Sequence, residues 1–139
     1  MNDPRDAPGA NPLLEPWDAP HGLPPFARLR AQHFAAAFEH AMRVHLGELE
    51  AIAADPAAPT FDNSVAAFDR AGRLLGRIEA VFHNLAASDT SPELQAVQRE
   101  TAAPLAAHAN AVYMHSRLFG RIDALHGQRA ALGLSAEQT

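Results

Sequence analysis

A chain of 139 residues with 47% hydrophobic side chains is long enough for one folded domain. Its net charge of −5 argues against nucleic-acid binding, which usually leaves a basic footprint. It has no cysteine, which excludes disulfides, thiolate metal sites and cysteine nucleophiles. No apolar run approaches the ~18 residues of a membrane span and the start of the chain lacks a signal-peptide pattern, so the expected setting is cytoplasmic, away from membranes.

Residues 1–30 hold seven of the eleven prolines. Proline removes a backbone donor and biases the preceding residue away from helix, so regular structure is not expected here. Residues 1–10 are expected to be disordered. From Asn11 onward the stretch also carries Leu13, Leu14, Trp17, Leu23 and Phe26, which predicts an extended arm lying on a folded body.

The first helix is expected over residues 31–54, where Phe34, Phe38, Met42, Leu46, Leu49 and Ile52 recur at helical spacing. Asp55-Pro56 ends it, and Pro59 keeps the connection non-helical. A second helix should start at Thr60, a suitable N-cap, with Asp62 favourable near the positive helix end. Phe61, Val65, Phe68, Leu75, Ile78, Phe82 and Leu85 form its apolar stripe, and it should run unbroken to about Ala87.

Ser91-Pro92-Glu93 opens a third helix, with serine as cap and proline at the first helical position. Its stripe is Leu94, Val97, Leu105 and Val112, and Pro104 should kink or divide it. A fourth helix is expected over residues 116–132, with Leu118, Phe119, Ile122 and Leu125 inward and Gly133 as terminator. Ser135 then resembles the cap of a further helix. A natural domain seldom stops at a start signal, so this ending suggests truncation. With no β-alternation and no fixed-period repeat, the fold class is all-α: an antiparallel bundle or array of about four helices with a Pro-rich N-terminal arm.

Chemistry is sparse. The eight histidines invite a metal hypothesis, but their spacing opposes it. His40 and His45 diverge on a helix, while His33/His40 and His108/His115 stand about 10 Å apart. No His-Glu-x-x-His motif occurs. Surface or helix-packing roles are expected for them. The carboxylates Asp62, Asp69 and Glu79 are explained by capping and solvation more simply than by acid–base work. Arg70, Arg73 and Arg77 would share a helix face able to hold an anion, although a solvated or ion-paired face is the simpler reading. There is no phosphate-cradling glycine loop, and one Trp and one Tyr make no base-stacking platform.

Several segments together resemble one family. They are Asn11-Pro12-Leu13-Leu14, Ile52-Ala53-Ala54-Asp55-Pro56, Pro59-Thr60-Phe61-Asp62-Asn63-Ser64, Val81-Phe82-His83-Asn84-Leu85 and Leu118-Phe119-Gly120-Arg121-Ile122. In order and spacing they are similar to the N-terminal region of the zinc oligopeptidases related to thimet oligopeptidase, with the bacterial peptidyl-dipeptidase (Dcp-like) branch ahead of oligopeptidase A. The resemblance covers about residues 11–138. Ser64 departs from the usual Thr, Ala35-Ala36 replaces a stretch that often holds Pro, and His115 stands where Asn is common.

The resemblance implies that residues 11–139 are the N-terminal helical domain of a much longer zinc metallopeptidase. In that family a His-Glu-x-x-His helix and a later Glu hold zinc far downstream, and the N-terminal helices wall a channel that admits short peptides. The parent would release C-terminal dipeptides. Its missing catalytic domain and its peptide substrates would be the partners. No catalytic, cofactor-binding or metal residue is expected within this chain, and the chain alone should be inactive. The competing expectation is a stand-alone helical interaction module without peptidase activity.

Overall fold

The computed structural model describes residues 10–138, so the disorder expected for residues 1–10 lies outside the described residues except at Ala10, which has no regular structure. The described residues contain no strand. Four helices dominate: α1 (Ala31–Ala54), α3 (Arg73–Ser88), α4 (Pro92–Tyr113) and α5 (Ser116–Gly127). A single turn, α2 (Ala67–Arg70), precedes α3. The all-α expectation is met.

Helix α1 is the centre, packing against α2, α3, α4 and α5. Phe34, Ala37, Phe38, Ala41, Leu49 and Ala53 are its buried positions, the spacing of one helical face. Phe82 of α3 meets Phe34 and Phe38 edge-on, at centroid distances of 5.1 and 5.4 Å. Such contacts add to the burial of three large side chains. Late α3 therefore meets early α1, so these two helices are antiparallel. On α4, His108 meets His45 and, just past its end, His115 meets Glu50, so α4 runs parallel to α1. The chain thus goes up, down and up. Two cores result. One joins Phe34, Phe38, Ile78, Phe82 and Leu94 with Leu13 of the arm. The other joins Leu49, Ala53, Val112 and Leu118.

The caps follow the expected chemistry. Ser91 Oγ accepts from the Leu94 N–H at 3.2 Å, with Pro92 at the first position of α4. Thr60 Oγ1 accepts from the Asn63 N–H at 3.1 Å, and Asn63 Oδ1 accepts from the Thr60 N–H at 2.7 Å. This is a reciprocal box with Asn in the place usually held by Glu or Gln. Gly133 takes the left-handed conformation expected of a terminator, with φ 61°. The Ser135 N–H donates to Gln138 Oε1 at 3.1 Å, closing one turn.

Two expectations need correction, and one is narrowed. The second helix is not continuous. Residues 61–66 wind as a π-turn, α2 adds one turn, and Ala71 (ψ 149°) with Gly72 (φ 75°) breaks the helix before α3. A heptad separation of Phe68 and Leu75 hides this in the stripe, because both positions fit one unbroken helix. In fact Phe68 packs on the second core and Leu75 belongs to the first. Of the kink or division expected at Pro104, division does not occur, since α4 is continuous through it. Pro104 is exposed, as is Glu100 one turn earlier, so water can serve the carbonyl that proline leaves unpaired. Helix α5 ends at Gly127 rather than near Leu132, and a 3₁₀ turn, Arg129–Ala131, completes the segment.

The arm docks through part of the expected set. Leu13 is 0% exposed, and Leu14 and Trp17 pack on the core. Leu23 and Phe26 are not anchors, being 54% and 46% exposed. The clamp is Arg77. It donates to the carbonyls of Leu13 (2.8 Å) and Glu15 (3.3 Å), and its guanidinium lies 4.1 Å from the Trp17 ring centroid. Trp17 in turn donates to the Pro12 carbonyl at 3.1 Å. Replacing Arg77 with Gln should remove about 1–3 kcal/mol of stability. It should also shift emission of the single tryptophan to the red. Unchanged Trp17 emission would show that the arm holds without the clamp.

Candidate functional site

The densest cluster of titratable groups sits where the Ala71–Gly72 break meets α1 and α4. His45 follows Ala41 and precedes Leu49 on the packed side of α1. His108 takes the matching place on α4, between Leu105 and Val112. Nδ1 of His45 and Nε2 of His108 are 2.9 Å apart. Such a contact needs one proton between the nitrogens, so one ring donates and the other accepts. His108 is 9% exposed, and its Nδ1 is buried without a partner. An orphaned acceptor costs less than an orphaned N–H, so the favoured tautomer has His108 donating from Nε2.

The break supplies the rest of the cluster. An added Cβ on Gly72 would lie 2.8 Å from Cε1 and Nε2 of His45, closer than a carbon atom can stand. Glycine is therefore required twice here, for its positive φ and for the ring that covers it. The Gly72 N–H, exposed by the break, donates to Oε2 of Glu48 at 2.7 Å. Burial lowers the pKa of His45, while Glu48 and Glu79 pull it back up. Burial also lowers that of His108, and the neighbouring His45 lowers it further.

The remaining candidates have separate tasks. Nδ1 of His33 accepts from the Arg30 N–H at 3.1 Å. His115 accepts from the Leu118 N–H at 3.3 Å through Nδ1 and lies 3.2 Å from Glu50 through Nε2, so it caps α5 and ties it to α1. His40 is exposed. Asp62 pairs with Arg70 at 3.5 Å, Asp69 is exposed on α2, and Glu79 acts on His45 from α3. The break separates Arg70 from Arg73 and Arg77, so the shared arginine face does not exist. Arg121, which the sequence did not single out, donates to the Asp55 (2.7 Å) and Ala57 (3.1 Å) carbonyls and fixes the turn after α1. Pairing of His45 with His108 was also missed, because spacing within one helix says nothing about partners between helices. The usable signal was a histidine inside each apolar stripe.

A wide groove lies between the arm, the start of α1 and the α3–α4 connection. Phe34, Leu94 and Val97 line it, with Arg30, Asp89 and Glu93 beside them. Ser91 in its wall is used as a helix cap. Its hydroxyl also hydrogen-bonds the Glu93 carboxylate, so this Ser–Glu pair closes the start of α4. Among the described residues no group of three or more His, Cys, Asp or Glu side chains could hold a metal ion. The His45 and His108 nitrogens that face each other are committed to one another. The zinc implied by the resemblance therefore has no fitting ligand set among these residues.

Fold and site together define a helical unit whose polar groups hold helices together, and comparison with known proteins places its relatives among bacterial peptidases. The chain is 41% identical over 127 residues to dipeptidyl carboxypeptidase of Salmonella typhimurium and 36% identical over 127 residues to that of Escherichia coli. Oligopeptidase A of Escherichia coli is 28% identical over 109 residues. The dipeptidyl carboxypeptidase matches cover 91% of this chain, which spans 19% of their length. The oligopeptidase A match covers 78% of this chain and 15% of that protein. No protein-family model matches the chain. The chain is thus homologous to a fifth of the dipeptidyl carboxypeptidases and, more distantly, to part of oligopeptidase A. No helix among the described residues is long and apolar enough to cross a membrane.

Two outcomes test the cluster. Gly72→Ala should cost about 2–3 kcal/mol, of which about 1–2 kcal/mol is the left-handed backbone. In a His45→Ala background only the backbone part should remain, and equal costs in both backgrounds would show that the ring contact is not a constraint. For pH, burial holds both histidines below the ordinary value of 6.5 in the folded state. The unfolded chain then binds more protons below that value, so stability is full above it and falls as pH drops below it. Urea midpoints should decline on acidification from about pH 7.5 to about pH 5.5, less steeply in a His45→Leu/His108→Leu variant.

Proposed function

We propose that residues 11–139 form the N-terminal helical domain of a longer peptidase of the dipeptidyl carboxypeptidase kind, and that this domain supplies scaffold rather than chemistry. The observation that carries this reading is 36–41% identity over 91% of the chain to proteins of that name, five times its length. The parent would hydrolyse short peptides in the cytoplasm, releasing C-terminal dipeptides. Its zinc would be held downstream by a His-Glu-x-x-His helix and a later Glu, with the glutamate inside the motif activating water as general base. The helices described here would form one wall of the channel that admits extended peptides and excludes folded ones.

The site is consistent with this division of labour. Its histidines and arginines are occupied in capping, clamping and helix pairing, roles that stabilise a wall and transform nothing. A stand-alone interaction module is not favoured, since the relatives that match nearly all of the chain are peptidases.

The longer polypeptide should release dipeptides from the C-terminus of a short peptide, lose that activity to a chelator and regain it with zinc. Residues 1–139 alone should release none. Dipeptide release by residues 1–139, or a longer polypeptide that lacks His-Glu-x-x-His, would overturn the reading.

A further inference from the structure

Helix α4 is unequal along its outer side. Its first turns present Gln95, Gln98, Arg99 and Glu100 to solvent, as a surface helix should. Beyond Glu100 the charge stops: neither carboxylate nor arginine occurs before Arg117. From Ala102 to Ala111 every exposed residue except Pro104 and Asn110 is alanine. Alanines alone would leave only a smooth helix. This face, however, ends in two large apolar side chains that nothing covers, Tyr113 at 73% exposure and Met114 at 81%. On a helix, Ala102, Ala106, Ala109 and Tyr113 fall on one line and Ala103, Ala107, Asn110 and Met114 on the adjacent one, so the patch is uncharged throughout and its one polar member is Asn110. The inner side of the same helix is already spent on the core through Leu94, Val97, His108 and Val112.

We propose that this charge-free outer face of α4, from Ala102 to Met114, is the surface on which the remainder of the same, longer polypeptide packs. The inference rests on the peptidase reading above. Size selects the occupant. Four turns of helix give a strip about 20 Å long and 10 Å wide, on the order of 200–300 Å². A stable complex of separate chains buries about 800 Å² per partner, so a second copy would be poorly held. A segment tethered to the same chain needs far less, because its effective concentration is about millimolar. The relatives supply such a segment, since this chain spans only 19% of their length. Small side chains at this spacing let two backbones approach closely, which fits a helix as the packing element. Tyr113 and Met114 then fill the gap at the end of the strip.

The test uses the full-length polypeptide and peroxide oxidation of methionine read by peptide mass spectrometry. Met114 should oxidise about tenfold more slowly in the folded protein than in urea, and no faster than the half-buried Met42. Ala106→Arg should lower the melting temperature and expose Met114 to peroxide, whereas Gln98→Arg, two turns earlier, should do neither. Rapid oxidation of Met114 in the folded protein would overturn the proposal, and so would protection that disappears on dilution, which would assign the face to a second copy. Dipeptide release is assayed on the same sample. An inactive protein with protected Met114 would sink only the peptidase reading, and an active one with reactive Met114 only the assignment of this face.

Discussion

The structure depends on the burial of one side of α1. Phe34, Phe38, Ala41, Leu49 and Ala53 line that side, and every other helix takes its position from contact with it. Burying a Phe or Leu side chain is worth about 1.5–3 kcal/mol, so no polar contact in the molecule competes with the sum. The polar contacts instead choose among ways of achieving this burial. Arg77 fixes the arm, Arg121 fixes the turn after α1, and His115 with Arg117 fixes α5 through Glu50. Exposed ion pairs contribute little to stability but discriminate between alternative arrangements.

That division explains what the sequence disclosed. Helical periodicity reports burial, so α1, α3 and α4 could be read from their stripes, and capping chemistry located Thr60 and Ser91. Periodicity cannot report an interruption that preserves its phase. The break at Ala71–Gly72 was invisible for that reason, since Phe68 and Leu75 stand seven residues apart. Tertiary partners were equally hidden. Nothing in the spacing of His45 or His108 names the other, because their meeting depends on α4 running parallel to α1. The arm was half legible: Leu13 and Trp17 anchor it, while Leu23 and Phe26 look alike in sequence but stay outside. Proline and hydrophobicity together predict that an arm exists, while its adhesion depends on partners such as Arg77 and the His33 carbonyl, which accepts from Asn11.

Homology and structure contribute different things. Identity to dipeptidyl carboxypeptidases says what kind of protein the chain is related to. The structure says what holds the chain in this shape. Phe82 fills the space between two aromatic rings, and the Thr60–Asn63 box closes the start of the π-turn. A helical scaffold is specified by such packing and capping residues, and a search for catalytic motifs passes over all of them.

The break at Gly72 also changes how errors spread. An unbroken helix is a rigid shaft, so any twist or shift at one end is delivered to the other. Here the segment before Gly72 packs on one core and the segment after it on another, and the glycine between them acts as a coupling that absorbs rotation. The two segments can therefore take different registers against α1, which runs through both cores. Substitutions near Phe68 and near Ile78 should then drift independently among descendants of this fold, with His45 pressing on the joint as the one fixed point.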